Sequence, residues 1–115
     1  MESCNFKTLH IDPKNGYVLQ CTHCGRITIG FGIITVSRTL PEFYKFVHDT
    51  HSCYQHYAAT GQNPKIRNIP FWQLSSYSCL TMSLNDLSRL GELLDFAVGK
   101  LYIDQFISTL PTNQN

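Results

Sequence analysis

Cys21 and Cys24 are separated by two residues and followed by Gly25, a spacing from which two thiolates can grip one tetrahedral ion out of a tight turn. Gly25 is free to take positive φ as the chain folds back. Zinc suits thiolate and imidazole donors and takes about four of them, so two more must come from elsewhere in the chain. Cys4 and His10 lie just upstream, on a segment that a hairpin would carry back past the knuckle. The expected centre is therefore a structural Zn2+ held by Cys4, His10, Cys21 and Cys24. His23 is the rival to His10, but it sits between the cysteines, where such a turn directs side chains outward. Four protein ligands would close the site, whereas catalysis needs an open position. The bland alternative is a pair of buried thiols, since cysteine behaves as a small apolar residue. A redox dithiol is the third reading; it works best at a helix N-terminus, and the runs flanking this motif are strand-like.

A second constellation is His48-Asp-Thr-His-Ser-Cys-Tyr-Gln-His56. If helical, it puts Asp49, Cys53 and His56 on one face, which suggests an alternative function as a metal-dependent or thiol enzyme using Cys53 and His56. The competing reading is an ordinary solvated helix face, with His51 at the edge of the core and hydrogen-bonded there.

These groups need elements to hold them. Asp12-Pro-Lys-Asn-Gly16 is dense in turn formers and predicts a hairpin joining residues 6–11 to 17–21, with Asn15 and Gly16 both at positive φ. After the knuckle, Ile27, Ile29, Phe31 and Ile33 alternate along a single strand. Gly30 and Gly32 on its other face imply a bulge or a close neighbour. Thr39 and Glu42 form a capping box, with Pro41 tolerated at the helix start, and open a helix over about 40–58. Its apolar side reads as Leu40, Tyr44, Val47, His51, Tyr54 and Ala58, flanked by Phe43 and Tyr57. Residues 66–71 read as an edge strand because of Pro70, and 72–82 as a further strand. Ser83 and Asp86 cap a second helix with a buried stripe of Leu87, Leu90, Leu94, Ala97, Val98 and Leu101, widened by Leu93 and Phe96. Gly99 either ends that helix or is passed through toward Phe106 and Ile107. The expected fold is α+β, an antiparallel sheet of four to five strands with two helices packed on one face, in the order β-β-β-α-β-β-α. Residues 1–108 form one domain, and 109–115 a flexible tail.

Composition narrows the function classes. The 115 residues carry a formal charge of +1, which offers no field for steering a polyanion, and the aromatics do not alternate with Lys or Arg as a base-stacking platform would. Nucleic acid is an unexpected partner. No Gly-x-Ser-x-Gly elbow or phosphate-cradling glycine loop is present. No leader and no apolar run of about 18 residues is seen, so a cytoplasmic protein that does not span a membrane is expected. Only 15% of residues are charged against 43% hydrophobic, which points to a protein partner, a homodimer among the possibilities.

Leu9-His10, Asn15 to Gly25, Ile29-Gly-Phe-Gly32 and Glu42-Phe43 together resemble a family of small bacterial domains of this length with a Cys-x-x-Cys-Gly knuckle and no assigned activity. The resemblance covers roughly residues 4–47; the histidine cluster and the C-terminal tail depart from it. It implies a free-standing bacterial protein and carries over no activity; the residues themselves point to a binding or regulatory module acting through a protein partner. The knuckle alone is also similar to that of zinc-ribbon proteins, which normally bring a second Cys-x-x-Cys.

Overall fold

A computed structural model describes residues 5–111 and is α+β. Strands β1 (Phe6–Asp12), β2 (Gly16–Cys21), β3 (Ile27–Phe31) and β4 (Ile34–Arg38) precede helix α1 (Leu40–Ala58). Strands β5 (Ile69–Ser75) and β6 (Ser78–Met82) and helix α2 (Leu84–Thr109) follow. The first four strands form an antiparallel meander in sequence order, and β5 and β6 a separate two-stranded hairpin. Six strands in two sheets thus replace the single sheet of four or five that the sequence suggested.

The first hairpin is anchored by Asp12 rather than by paired positive-φ residues. Its carboxylate accepts the Lys14 amide at 3.0 Å and the Asn15 side-chain amide at 2.7 Å, and these bonds hold the Asp12 carboxyl below its usual range. Only Gly16 of the expected Asn-Gly pair lies at positive φ. The expected long strand after the knuckle is cut in two by Gly32 and Ile33. Phe31 pairs with Ile34 across a two-residue turn with Gly32 at φ +61°, the glycine-first pattern that matches strand twist. Of the bulge or close neighbour that the sequence implied at Gly30, the structure has the neighbour, Tyr17, whose ring covers the missing side chain.

The two helices begin where their caps predicted. Thr39 donates its amide to Glu42 at 2.8 Å and accepts the Glu42 amide at 3.3 Å; the Thr39 backbone bond holds the Glu42 carboxyl below its ordinary range. Thr39→Ala is expected to cost about 1 kcal/mol in chemical denaturation, and Thr39→Ser to restore most of it. Equal loss in both variants would mean that the methyl group, not the cap, carries the effect.

Val18, Ile27 and Ile29 from the sheet, Phe43 from α1 and the leucines of α2 make one buried cluster. The buried face of α1 is rotated from the expected stripe toward Phe43, Phe46, Thr50 and Cys53. Thr50 is fully buried, its hydroxyl satisfied by the Phe46 carbonyl at 2.8 Å, and so it packs as an apolar residue would. Phe46 meets Phe71 and Trp72 of β5, and Arg38 lies over the Trp72 ring at 4.9 Å. The expected strand over 72–82 is instead a hairpin turning at Ser76 and Tyr77. Helix α2 passes through Gly99 and runs to Thr109, one residue beyond the expected domain end. Among the described residues, no helix is long and apolar enough to cross a membrane.

Candidate metal centre

β2 ends at Cys21 and β3 begins at Ile27, with the knuckle forming the turn between them. Cys21 closes it with backbone bonds: its carbonyl accepts the Gly25 amide at 3.0 Å and its amide donates to the Arg26 carbonyl at 2.9 Å. Gly25 takes φ +79° with open space where a Cβ would stand, so the backbone turn alone requires glycine there. The Cys24 amide points at the Cys21 sulfur at 3.3 Å, and the Gln20 side-chain amide donates to the Gly25 carbonyl at 3.3 Å. Cys21 is only 2% exposed although it lies on the outer face of the sheet, while Cys24 is exposed. No helix begins at the motif, which removes the usual means of activating a redox dithiol.

Cys4 lies outside the described residues. Its neighbour Asn5 borders the knuckle, its carbonyl accepting the Thr22 amide at 2.7 Å and the Thr22 hydroxyl at 3.0 Å. No known protein family, curated protein or solved structure matches the chain. The assignment of ligands therefore rests on this geometry.

His10 is placed away from the knuckle. Phe6 is the β1 residue opposite Cys21, whereas His10 pairs with Val18 toward the other end of the hairpin. The register shifts between Thr8 and His10, so Leu9 is an extra residue, and such a bulge re-aims the side chain beside it. Leu9 is buried, and His10 stacks on Phe96 of α2 with ring centroids 4.5 Å apart. Among the described residues no three His, Cys, Asp or Glu side chains gather as a metal-holding group. The structure brings together Cys21 and Cys24, and leaves His10 against α2.

The helix constellation also separates. Asp49 is paired with Lys45 at 2.8 Å, and the His56 ring stands edge-on to Tyr57. Cys53 packs against the core, and burial pushes its thiol up, the wrong direction for a nucleophile at neutral pH. His51 does have a partner that the sequence reading missed. Its Nε2 lies 2.7 Å from Asp95 of α2, in a cleft of about 530 Å3 between the helices. Gly91 admits the ring, since a Cβ there would sit 3.1 Å from the imidazole. Asp95 could not be assigned to His51 from spacing, because the two are joined only by packing of α1 on α2.

Proposed function

We propose that the protein is a small binding or regulatory module whose Cys-x-x-Cys-Gly knuckle is a structural zinc site. The observation that carries this reading is the Cys24 amide directed at a Cys21 sulfur that is almost wholly buried. Two thiolates from the β2–β3 turn supply half a tetrahedral shell. Cys4, one residue before the Asn5 carbonyl that Thr22 holds, and His23 within the knuckle are the nearest remaining donors in sequence. His10, stacked on Phe96, does not fit the set. When bound, the ion ties the N-terminal strand to the β2–β3 turn and neutralises thiolates that would otherwise repel each other.

Protein purified without chelator or affinity tag is expected to carry about one zinc per chain, as a structural site fills once. Cys21→Ser with Cys24→Ser should lose the metal and melt about 5–10 °C lower. Metal loss with an unchanged melt would point to an open site on a fold that does not need it. A metal-free wild type whose melt equals that of the double variant would reduce the motif to two thiols.

A further inference from the structure

Helices that lie on a domain turn one stripe to the core and a polar stripe to water. The first half of α2 follows this rule, with Leu87, Leu90, Leu93 and Leu94 buried and Ser88, Glu92 and Asp95 exposed. Past Asp95 the outward side turns apolar: Phe96, Tyr102, Ile103, Phe106, Ile107 and Leu110 are between 49% and 65% exposed. No residue of the helix beyond Leu101 is buried, yet the helix continues to Thr109. Gly99 sits in the middle of this stripe. An interior glycine weakens a helix, and nothing among the described residues asks for one here: φ is not positive, and a Cβ would meet none of their atoms within 4 Å.

We propose that this stripe is the interface of a homodimer, α2 of one copy packing antiparallel on α2 of a second copy about a two-fold axis at Ile103. Residues equidistant from Ile103 then meet, so Phe96 faces Leu110 and Ile107 drops over Gly99, twice by symmetry. The open space at Gly99 is what a closely approaching side chain needs. Lys100 and Lys7 of β1 each lie 3.0 Å from Asp104 beside the stripe, with side chains 45% and 42% exposed, so the one positive charge that Asp104 does not balance stays hydrated at the rim of the contact. A large apolar side chain carries about 150–250 Å2, so six at half exposure offer roughly 600 Å2 per copy. Two copies give roughly 1,200 Å2, the lower end for a stable specific interface. A lipid surface fits less well, because such helices bring several Lys or Arg on their polar face, whereas here Lys100 and Lys7 share Asp104 and the last turn of α2 has no basic residue. This surface shares no residue with the knuckle, and its test has no metal readout.

The full chain, studied by sedimentation equilibrium across the micromolar range, should show twice the 13.1 kDa chain mass. Ile103→Glu places two carboxylates face to face and should weaken association at least about a hundredfold, with helix content retained because the site is exposed. Ile103→Lys should do the same, and mixing the two variants should restore the dimer. Gly99→Leu, which raises helix propensity, should nevertheless weaken association. A wild type that stays monomeric, an Ile103→Glu variant as tightly dimeric as wild type, or variants that do not recombine would overturn the proposal. So would a monomer that cosediments with anionic phospholipid vesicles, which would assign the stripe to lipid.

Discussion

Gly16→Ala is expected to destabilise the protein by about 3–5 kcal/mol, a large part of the roughly 5–15 kcal/mol that holds a domain together. Gly16 opens β2 at φ +150°, and a Cβ there would lie 1.9 Å from the Gly30 carbonyl oxygen and 2.9 Å from its carbon. Both atoms belong to the backbone of β3, so relief requires moving one strand off the other. Gly16 is paired with both Asp12 and Phe31, so the movement would disturb three strands at once. Two other glycines give the comparison. Gly25→Ala meets no atom of the described residues and suffers from its φ of +79°, about 1–2 kcal/mol. Gly30→Ala meets the tip of the Tyr17 ring, which can swing aside at a cost of about 1 kcal/mol in lost packing. Urea denaturation of the three variants should rank Gly16 first by a clear margin. If Gly16→Ala were as mild as Gly30→Ala, the close strand approach would not exist as described.

The elements that could be read from the sequence are those whose determinants are local. Thr39 with Glu42 and Ser83 with Asp86 fix helix starts through bonds three residues apart, and both boxes form. The Cys-x-x-Cys-Gly turn is equally local, so its hairpin position and the positive φ of Gly25 were legible. The β3–β4 turn was hidden because an isoleucine occupies its tip: Ile33 is fully exposed, yet alternation with Ile27, Ile29 and Phe31 makes it look like one more strand position. Tyr77 conceals the β5–β6 turn in the same way, being fully exposed at the tip of an apolar run.

What depends on packing was not legible. A bulge at Leu9 turns His10 toward Phe96, and nothing in the spacing of residues 4–10 announces it, because the bulge is a property of two strands in register. The buried face of α1 was located only in part: Leu40, Tyr44 and Val47 pack on the core as expected, but Thr50 is polar by type and satisfied by its own helix, and Phe46 gains cover from Phe71 and Trp72 of β5, distant in sequence. The same reasoning separates the two halves of the proposed metal site. Two thiolates three residues apart are a local feature, whereas the remaining ligands must arrive through tertiary structure.

Asp86 supplies the second large effect. Asp86→Asn should cost about 2 kcal/mol at neutral pH, and the deficit should vanish in acid. The residue is only 5% exposed, and burial by itself pushes its carboxyl up. Bonds from Arg67 at 2.8 Å and from the Ser83 amide at 3.0 Å outweigh that, with Arg89 at 2.6 Å completing the site, and the pKa falls from the ordinary 3.8 to about 2. A carboxylate whose pKa is lower in the folded chain binds fewer protons there than in the unfolded chain. Its contribution is therefore complete above about pH 4 and is lost as pH falls toward 2. The partners temper the magnitude, since the Arg67 and Arg89 side chains are 70% and 46% exposed and would rehydrate once released. Asp12, Glu42 and Asp104 are also held low, so both proteins should weaken in acid. The difference between wild type and variant isolates Asp86 from that shared loss. Urea denaturation at pH 7 and pH 2 should show the gap closing to a few tenths of a kcal/mol; a gap that persists in acid would mean that the substituted amide fails sterically or as a cap, and that the charge on Asp86 is not what holds its Arg67 and Arg89 partners to the start of α2.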